Sequence, residues 1–268
     1  MSALDTVTTW PVPTAAVAVV SPAGVVATTG PDTPMPWASV TKLLTALTVL
    51  VTVEPAALDE PAGPPGSTLR HLLAHASGLG PDDDAVLSAP GRRRIYSNRG
   101  FERLAADVSR RTGTPFADLM RNRVLAPLGM TGTTLAGSPA HGARGPLHDL
   151  ATLGRELLAP TLLTADRLAE ATTVAFPGLA GVLPGFGRQD PNDWGLGFEI
   201  RDGKHPHWTG QRNSPATFGH FGRSGTFLWV DPVAHLACAC LTDREFGAWA
   251  AEAWPDLSDR VLDEFVSS

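Results

Sequence analysis

Both ends of this chain are patterned as strands, and about a hundred residues of helical periodicity lie between them. Near the start, residues 13–20 and 25–29 are β-rich runs separated by Ser21-Pro22-Ala23-Gly24, a hairpin signal. Late in the chain, 194–200, 225–231 and 234–241 read as strands, the last two joined at Asp231-Pro232. Between these ends, Val40, Leu43, Leu44, Leu47 and Leu50 recur at helical steps over 39–51, with Ser39 where an N-cap would stand. Residues 55–68 are a Pro/Gly-rich connector, and 101–111, 116–125 and 148–158 are the clearest helices of the middle section. The last element, 246–265, is helical with Leu257, Val261 and Phe265 on its buried stripe, and Pro255 is placed for the first turn of a second piece. Strands at both ends and helices in the middle predict an α+β fold. An antiparallel sheet lobe built from about 1–38 and 175–268 carries an inserted helical lobe, about 39–174, in one unit of 1–268.

Length and composition remove whole classes of function. At 268 residues the chain can bury roughly three-quarters of its unfolded surface and needs no staples. Gly and Pro, 27 and 24 residues, fall short of the ~25–30% that marks low complexity. A formal charge of −6 argues against a nucleic-acid binder, which needs a basic face to displace counterions. No apolar run approaches the ~18–20 residues of a membrane span. The best stretch, 15–20, stops at Ser21-Pro22 and has only Asp5 before it, so it reads as a strand and not a signal peptide. Cys238 and Cys240, two apart in a strand, face the same side and read as buried small hydrophobes. Nothing asks for an oxidising compartment, and the cytoplasm is the expected location.

Three short stretches carry residues suited to chemistry. Ser39 and Lys42, three apart on a helix, share a face. A serine hydroxyl becomes a useful nucleophile when a neighbour takes its proton, and a neutral amine can do so. From a reference pKa of ~10.4, neutralising that amine at pH 7 costs on the order of 4–5 kcal/mol, which burial and the helix N-terminus would reduce. Lys42 and Lys204 are the only lysines among 21 basic residues. Lysine where arginine is otherwise used fits a role that needs a removable proton. Tyr96, the single tyrosine, can relay a proton, and Asn98 two residues on can hold an amide or an amine. His220-Phe221-Gly222-Arg223 leads into a strand, where a histidine can meet a phenol and a glycine admits substrate backbone. Each alone has a plain structural reading: a snorkelling lysine, a turn capped by Ser97 or Asn98, a satisfied histidine.

Other signals are weaker. His71 and His75 are four apart on a predicted helix, but no glutamate follows His71 and no third ligand is evident, so they read as structural. His205 and His207 flank a proline in a predicted loop with no site. Arg92–Arg94 and Asp82–Asp84 read as solvated loop charge, with an anionic-substrate rim as the sharper alternative. Gly222-Arg223-Ser224-Gly225-Thr226 misses the last glycine of a nucleophile elbow, and there is no phosphate loop or dinucleotide fingerprint. No metal or cofactor is expected.

In order, the three stretches are Ser-x-x-Lys at a helix start, Tyr-x-Asn in the helical section, and His-Phe-Gly entering a late strand. With them the chain closely resembles the penicillin-recognising serine hydrolases: class C β-lactamases, DD-peptidases and family VIII carboxylesterases. The same texture appears in His71-Leu72-Leu73-Ala74-His75-Ala76-Ser77-Gly78-Leu79, in Pro127-Leu128-Gly129-Met130, and in Gly219-His220-Phe221-Gly222 running into Trp229-Val230-Asp231-Pro232. The resemblance spans about 13–265 and implies a β-lactamase/transpeptidase-like fold with the active site between the lobes. It implies Ser39 as the acylated nucleophile, Lys42 as base or its electrostatic partner, and Tyr96 as proton shuttle beside His220. Asn98 would orient Lys42 and the substrate, Gly222 would let the substrate lie against the strand, and the oxyanion would sit between the N–H groups of Ser39 and Arg223. Lys42 and a Tyr96 phenolate both remain open as the base.

Three departures shape the expected chemistry. The family's helix ahead of the first strand is essentially missing. His220 replaces the lysine of a Lys-Thr-Gly motif, and with a pKa near ~6.5 it is mostly neutral at pH 7. Phe221 lacks the hydroxyl used on a substrate carboxylate. These changes favour a carboxylesterase acting on small esters. Hydrolysis of β-lactams or D-amino-acid peptides is the alternative, and a non-catalytic ligand-binding member the third. The expected partner is a small ester or amide, with no nucleic acid and no membrane span.

Overall fold

A computed structural model describes residues 2–266. The chain opens with a 3-10 helix over Ala3–Thr9 and the hairpin of β1 (Ala15–Ser21) and β2 (Gly24–Thr29). After β3 (Met35–Pro36), a 3-10 turn over Ala38–Val40 runs straight into α1 (Thr41–Thr52). Then come α2 (Leu69–Leu73), α3 (Asn98–Thr112) and α4 (Phe116–Met120), which continues as a π-helical turn over Arg121–Leu125. β4 (Thr134–Leu135) and β5 (Ala143–Gly145) join β3 in a small sheet, followed by α5 (Leu147–Leu158) and α6 (Ala165–Ala171). A short hairpin, β6 (Gly181–Leu183) and β7 (Gly187–Gln189), precedes β8 (Glu199–Ile200), β9 (Phe218–Gly222), β10 (Thr226–Asp231), β11 (Leu236–Thr242) and α7 (Ala248–Phe265).

The main sheet has the order β2-β1-β11-β10-β9-β8, antiparallel throughout, so both ends of the chain build it. Its central strands are buried on both faces. Ala16, Ala18, Val20, Leu228, Ala237 and Ala239 join the core with α1 and α5, whereas Val17, Val19, Phe227, Trp229, Cys238 and Cys240 join the core under α7. The period-2 alternation of the strand explains both sets, and places the two free cysteines on one face as the sequence predicts. Among the described residues, no helix is long and apolar enough to cross a membrane.

Several elements depart from the sequence reading. The stretch before β1 holds a seven-residue 3-10 helix whose Ala3, Leu4 and Val7 pack with Leu257 and Val261 of α7. It starts in a reciprocal capping box between Ser2 and Asp5, which offsets the cost of nucleating so short a helix. Ser39 caps nothing; it lies inside the 3-10 turn, and its hydroxyl turns to other side chains. The strand predicted over 194–200 shrinks to β8, because Gly197 at φ 93° turns the chain and leaves Trp194 bridged back to Glu199. His75 lies beyond α2, at φ 54°. Pro255 stands inside one continuous helix rather than opening a second.

Candidate active site

The site begins where β3 hands the chain to α1. Trp37 is fully buried, its indole N–H donating to Gly145 O at 3.1 Å and its own carbonyl accepting from Thr226 Oγ1 at 3.0 Å. Thr41 Oγ1 accepts from Ala143 N at 2.9 Å. These bonds tie the turn to both sheets. Ala38 between them sits at φ 43°, a left-handed conformation that costs a non-glycine residue about 1 kcal/mol or more. Gly222, at the end of β9, closes the other side. A Cβ there would lie 2.6 Å from Trp37 O, so only glycine lets the strand approach the turn this closely.

Ser39 is thereby presented to two partners. Tyr96 Oη donates to Ser39 Oγ at 2.8 Å, and Lys42 Nζ lies 3.3 Å from the same oxygen. Lys42 is wholly buried on the inner face of α1, 2.6 Å from Asn98 Oδ1 and 2.9 Å from the carbonyl of Ala140. Burial lowers its pKa from 10.5 to about 7, against the opposing pull of Asp82 and Glu102.

Tyr96 and Asn98 are positioned by the start of α3. Ser97 is the N-cap, accepting from Gly100 N at 2.8 Å and donating to Gly80 O at 2.6 Å. Its own N–H donates to His75 Nδ1 at 3.1 Å, and the His75 ring packs against Tyr96 with centroids 4.7 Å apart. Asn98 Nδ2 donates to Asp82 Oδ1 at 2.8 Å, which leaves Oδ1 for the lysine. Burial raises the Tyr96 phenol well above its usual range.

His220 Nε2 stands 3.4 Å from Tyr96 Oη. Its Nδ1, 2.7 Å from the carbonyl of Phe221, must carry the proton, so Nε2 is unprotonated beside a phenol whose single proton is directed at Ser39. Burial first, and the nearby Lys42 second, push its pKa down to about 3, so the ring is neutral at pH 7. Arg223 follows β9, its side chain largely exposed and 3.5 Å from Glu245 at the rim.

These groups open into a cavity of about 300 Å³. Ser39, Tyr96 and His220 contribute its polar wall, and Leu183, Pro184, Trp194, Phe221 and Phe246 its apolar one. Ser39, Lys42, Tyr96, Asn98 and His220, all named from the sequence, thus meet in one place. Gly222 stands beside it, and Arg223 also lines it, with its side chain exposed at the rim.

Sequence reading missed the Ala140 carbonyl and the roles of Leu183, Trp194 and Phe246 as cavity walls, because no local pattern shows which remote segments converge. Three further groups have partners that the sequence did not show. Arg94 is no solvated loop charge: it is buried and donates to the carbonyls of Asn192, Ala74, Ala175 and Phe176. Asp82, read the same way, holds Asn98. His207 belongs to a buried ionic cluster, donating through Nε2 to Glu199 Oε2 at 2.9 Å, where Glu199 also binds Lys204. Among the described residues, no three His, Cys, Asp or Glu side chains are grouped to hold a metal ion.

The profile of the Beta-lactamase family matches residues 8–262. No curated protein matches the chain. A beta-lactamase from Mycobacterium bovis has a crystal structure that superposes with a TM-score of 0.97 at 54% identity, covering 99% of this chain and 100% of that one. Simvastatin synthase from Aspergillus terreus shares the fold at 17% identity and a TM-score of 0.80, covering 98% and 97%. EstCE1, described as a hydrolase with promiscuous acyltransferase activity, shares it at 16% and 0.76, covering 97% and 96%. With the family profile spanning nearly the whole length and a relative more than half identical superposing end to end, this chain belongs to the beta-lactamase family of serine hydrolases.

Proposed function

We propose that the protein hydrolyses small carboxylic esters through an acyl-enzyme on Ser39. The observation that carries this reading is the set of neighbours around Lys42 Nζ. A neutral amine has two N–H donors and one lone pair. Asn98 Oδ1 and the Ala140 carbonyl can only accept, so they take the two donors, and the lone pair is left for the hydroxyl of Ser39. A pKa near 7 keeps that neutral form populated at physiological pH. Tyr96, with its pKa raised, stays a phenol, which favours Lys42 over a Tyr96 phenolate as the base.

Ser39 Oγ attacks the ester carbonyl as its proton passes to Lys42 Nζ. The negative charge moves to the carbonyl oxygen, for which the N–H groups of Ser39 and Arg223 are the expected donors; one such donor is typically worth ~3–4 kcal/mol. Collapse expels the alkoxide, which takes the Tyr96 proton. The Lys42 ammonium returns its proton to the adjacent Tyr96 phenolate, directly or through a water, and water then cleaves the acyl-enzyme by the reverse sequence. Neutral His220 packs edge-on against the Tyr96 ring, with centroids 5.7 Å apart, and holds the phenol in place.

An ester fits this cavity better than a penicillin. The walls are mainly apolar, His220 is neutral, and Phe221 offers no hydroxyl to a carboxylate. Hydrolysis of β-lactams is the second reading, favoured by the description of the 54%-identical Mycobacterium bovis relative as a beta-lactamase. Steady-state rates on p-nitrophenyl butyrate and on a chromogenic cephalosporin separate the two. The ester is expected to react faster, with Ser39→Ala abolishing turnover, and a higher rate on the cephalosporin reverses the assignment. A binding protein without turnover would gain no mass on incubation with a fluorophosphonate probe.

A further inference from the structure

A second depression adjoins the catalytic cavity and shares Tyr96 and Pro184 with it. It is a groove of about 670 Å³ between the segment leading into Tyr96 and the β6–β7 hairpin. Arg92, Arg93 and Arg188 line it, together with the apolar Ile95 and the exposed Val182. In a chain of net charge −6, three guanidinium groups around one groove are a local reversal of sign. Arg188 is paired with Asp190 at 2.8 Å, and Asp82 beyond Pro81 is engaged with Asn98. Arg92 and Arg93 are exposed and form no ion pair with a carboxylate among the described residues.

The two walls are fixed to each other. Arg94 N donates to Ala180 O at 2.9 Å, and Arg94 bridges Gly181 in parallel register. A Cβ on Gly181 would stand 2.3 Å from Arg94 O, so the hairpin is pressed against the arginine segment. The groove walls are therefore fixed by backbone contacts, and Tyr96 and Pro184 border both the groove and the catalytic cavity. A substrate with its carbonyl at Ser39 has the apolar cavity around it and the cationic groove adjoining at Tyr96 and Pro184.

We propose that this groove binds an oxyanion on the leaving group, so that the substrates are esters whose acyl part fills the apolar cavity and whose alcohol part carries a carboxylate or a phosphate-like group. The inference rests on the ester reading above and on Tyr96 delivering its proton to the leaving oxygen, which puts the departing alcohol beside a residue that borders the groove. Guanidinium forks suit either oxyanion.

The test compares kcat/KM for 4-(butanoyloxy)phenylacetate and 4-(butanoyloxy)benzylphosphonate with that for the methyl ester of the former, a neutral ester with similar leaving-group electronics. Phenyl hydrogen adipate, with its charge on the acyl side, is the fourth substrate. The wild type is expected to favour at least one anionic leaving group by about tenfold, less at high salt, in keeping with partly exposed charge pairs. Which of the two anions gains more identifies the oxyanion. Arg92→Ala/Arg93→Ala should reduce the ratio to about one, Arg92→Lys/Arg93→Lys should recover part of it, and Arg123→Ala, an exposed arginine outside the groove, should leave it as in the wild type. Taking the ratio within each variant cancels any loss of folded protein. A ratio near one in the wild type, a ratio indifferent to the double substitution, or a preference confined to the adipate overturns the proposal. Should no ester be turned over, the ester reading falls, and calorimetric binding of 4-hydroxybenzylphosphonate to Ser39→Ala protein still decides the groove. A Kd weakened about tenfold by Arg92→Ala/Arg93→Ala supports it, and a Kd unchanged by that substitution, or no binding, sinks it.

Discussion

Lys42 is a buried amine whose surroundings supply two acceptors and one hydroxyl. Desolvation lowers its pKa to about 7, and only the unprotonated form can receive the Ser39 proton. Activity should therefore rise with pH through about 7 and level off above it, since protonation below that point removes the lone pair. With Tyr96 held above its ordinary range, no falling limb is expected before strongly alkaline pH. A kcat/KM profile on p-nitrophenyl butyrate from pH 5 to 9 tests this, and a midpoint above 9 would show an ordinary solvated lysine. Lys42→Arg, which keeps charge but gives up no proton, should lower kcat/KM by ~10²–10⁴ and also lower Tm, because the larger guanidinium stays charged in a dry site.

At the scale of elements, the site depends on two junctions. The first is the contact of β9 with the turn over Ala38–Val40. Gly222→Ala inserts a Cβ against Trp37 O and Ala38 Cβ, both of which belong to the turn that carries Ser39. The expected result is a kcat lower by ~10–100-fold, with a smaller change in Tm, because a displacement of under an ångström spoils attack geometry more than packing. The second junction is Arg94, whose fork satisfies carbonyls of three separate segments. Arg94→Met leaves those buried acceptors without donors and should cost about 3 kcal/mol or more, read as a lower urea midpoint. Ser97, by contrast, was legible as a cap candidate in the sequence, because capping is a local matter of one side chain and the next turn.

At the scale of the whole molecule, one sheet separates two cores, and the site belongs to the edge where β9 meets the helical section. α7 seals the far face. Leu257 is fully buried there and lines neither the catalytic cavity nor the arginine groove. Leu257→Ala should cost ~2–5 kcal/mol in denaturant unfolding while the folded fraction keeps its kcat. The order of the main strands and helices, the shared face of Cys238 and Cys240 and the nearness of Ser39 to Lys42 were determined by the sequence alone. Each follows from a short-range period, 2 for strands and about 3.6 for helices. Tertiary structure alone decided that Lys42 is dry, that the carbonyl of Ala140 faces it, that His220 meets Tyr96 from 124 residues away, and that Arg94 is a buried tie. Those facts depend on desolvation and on contacts between segments remote in sequence, and no local pattern of side chains encodes either.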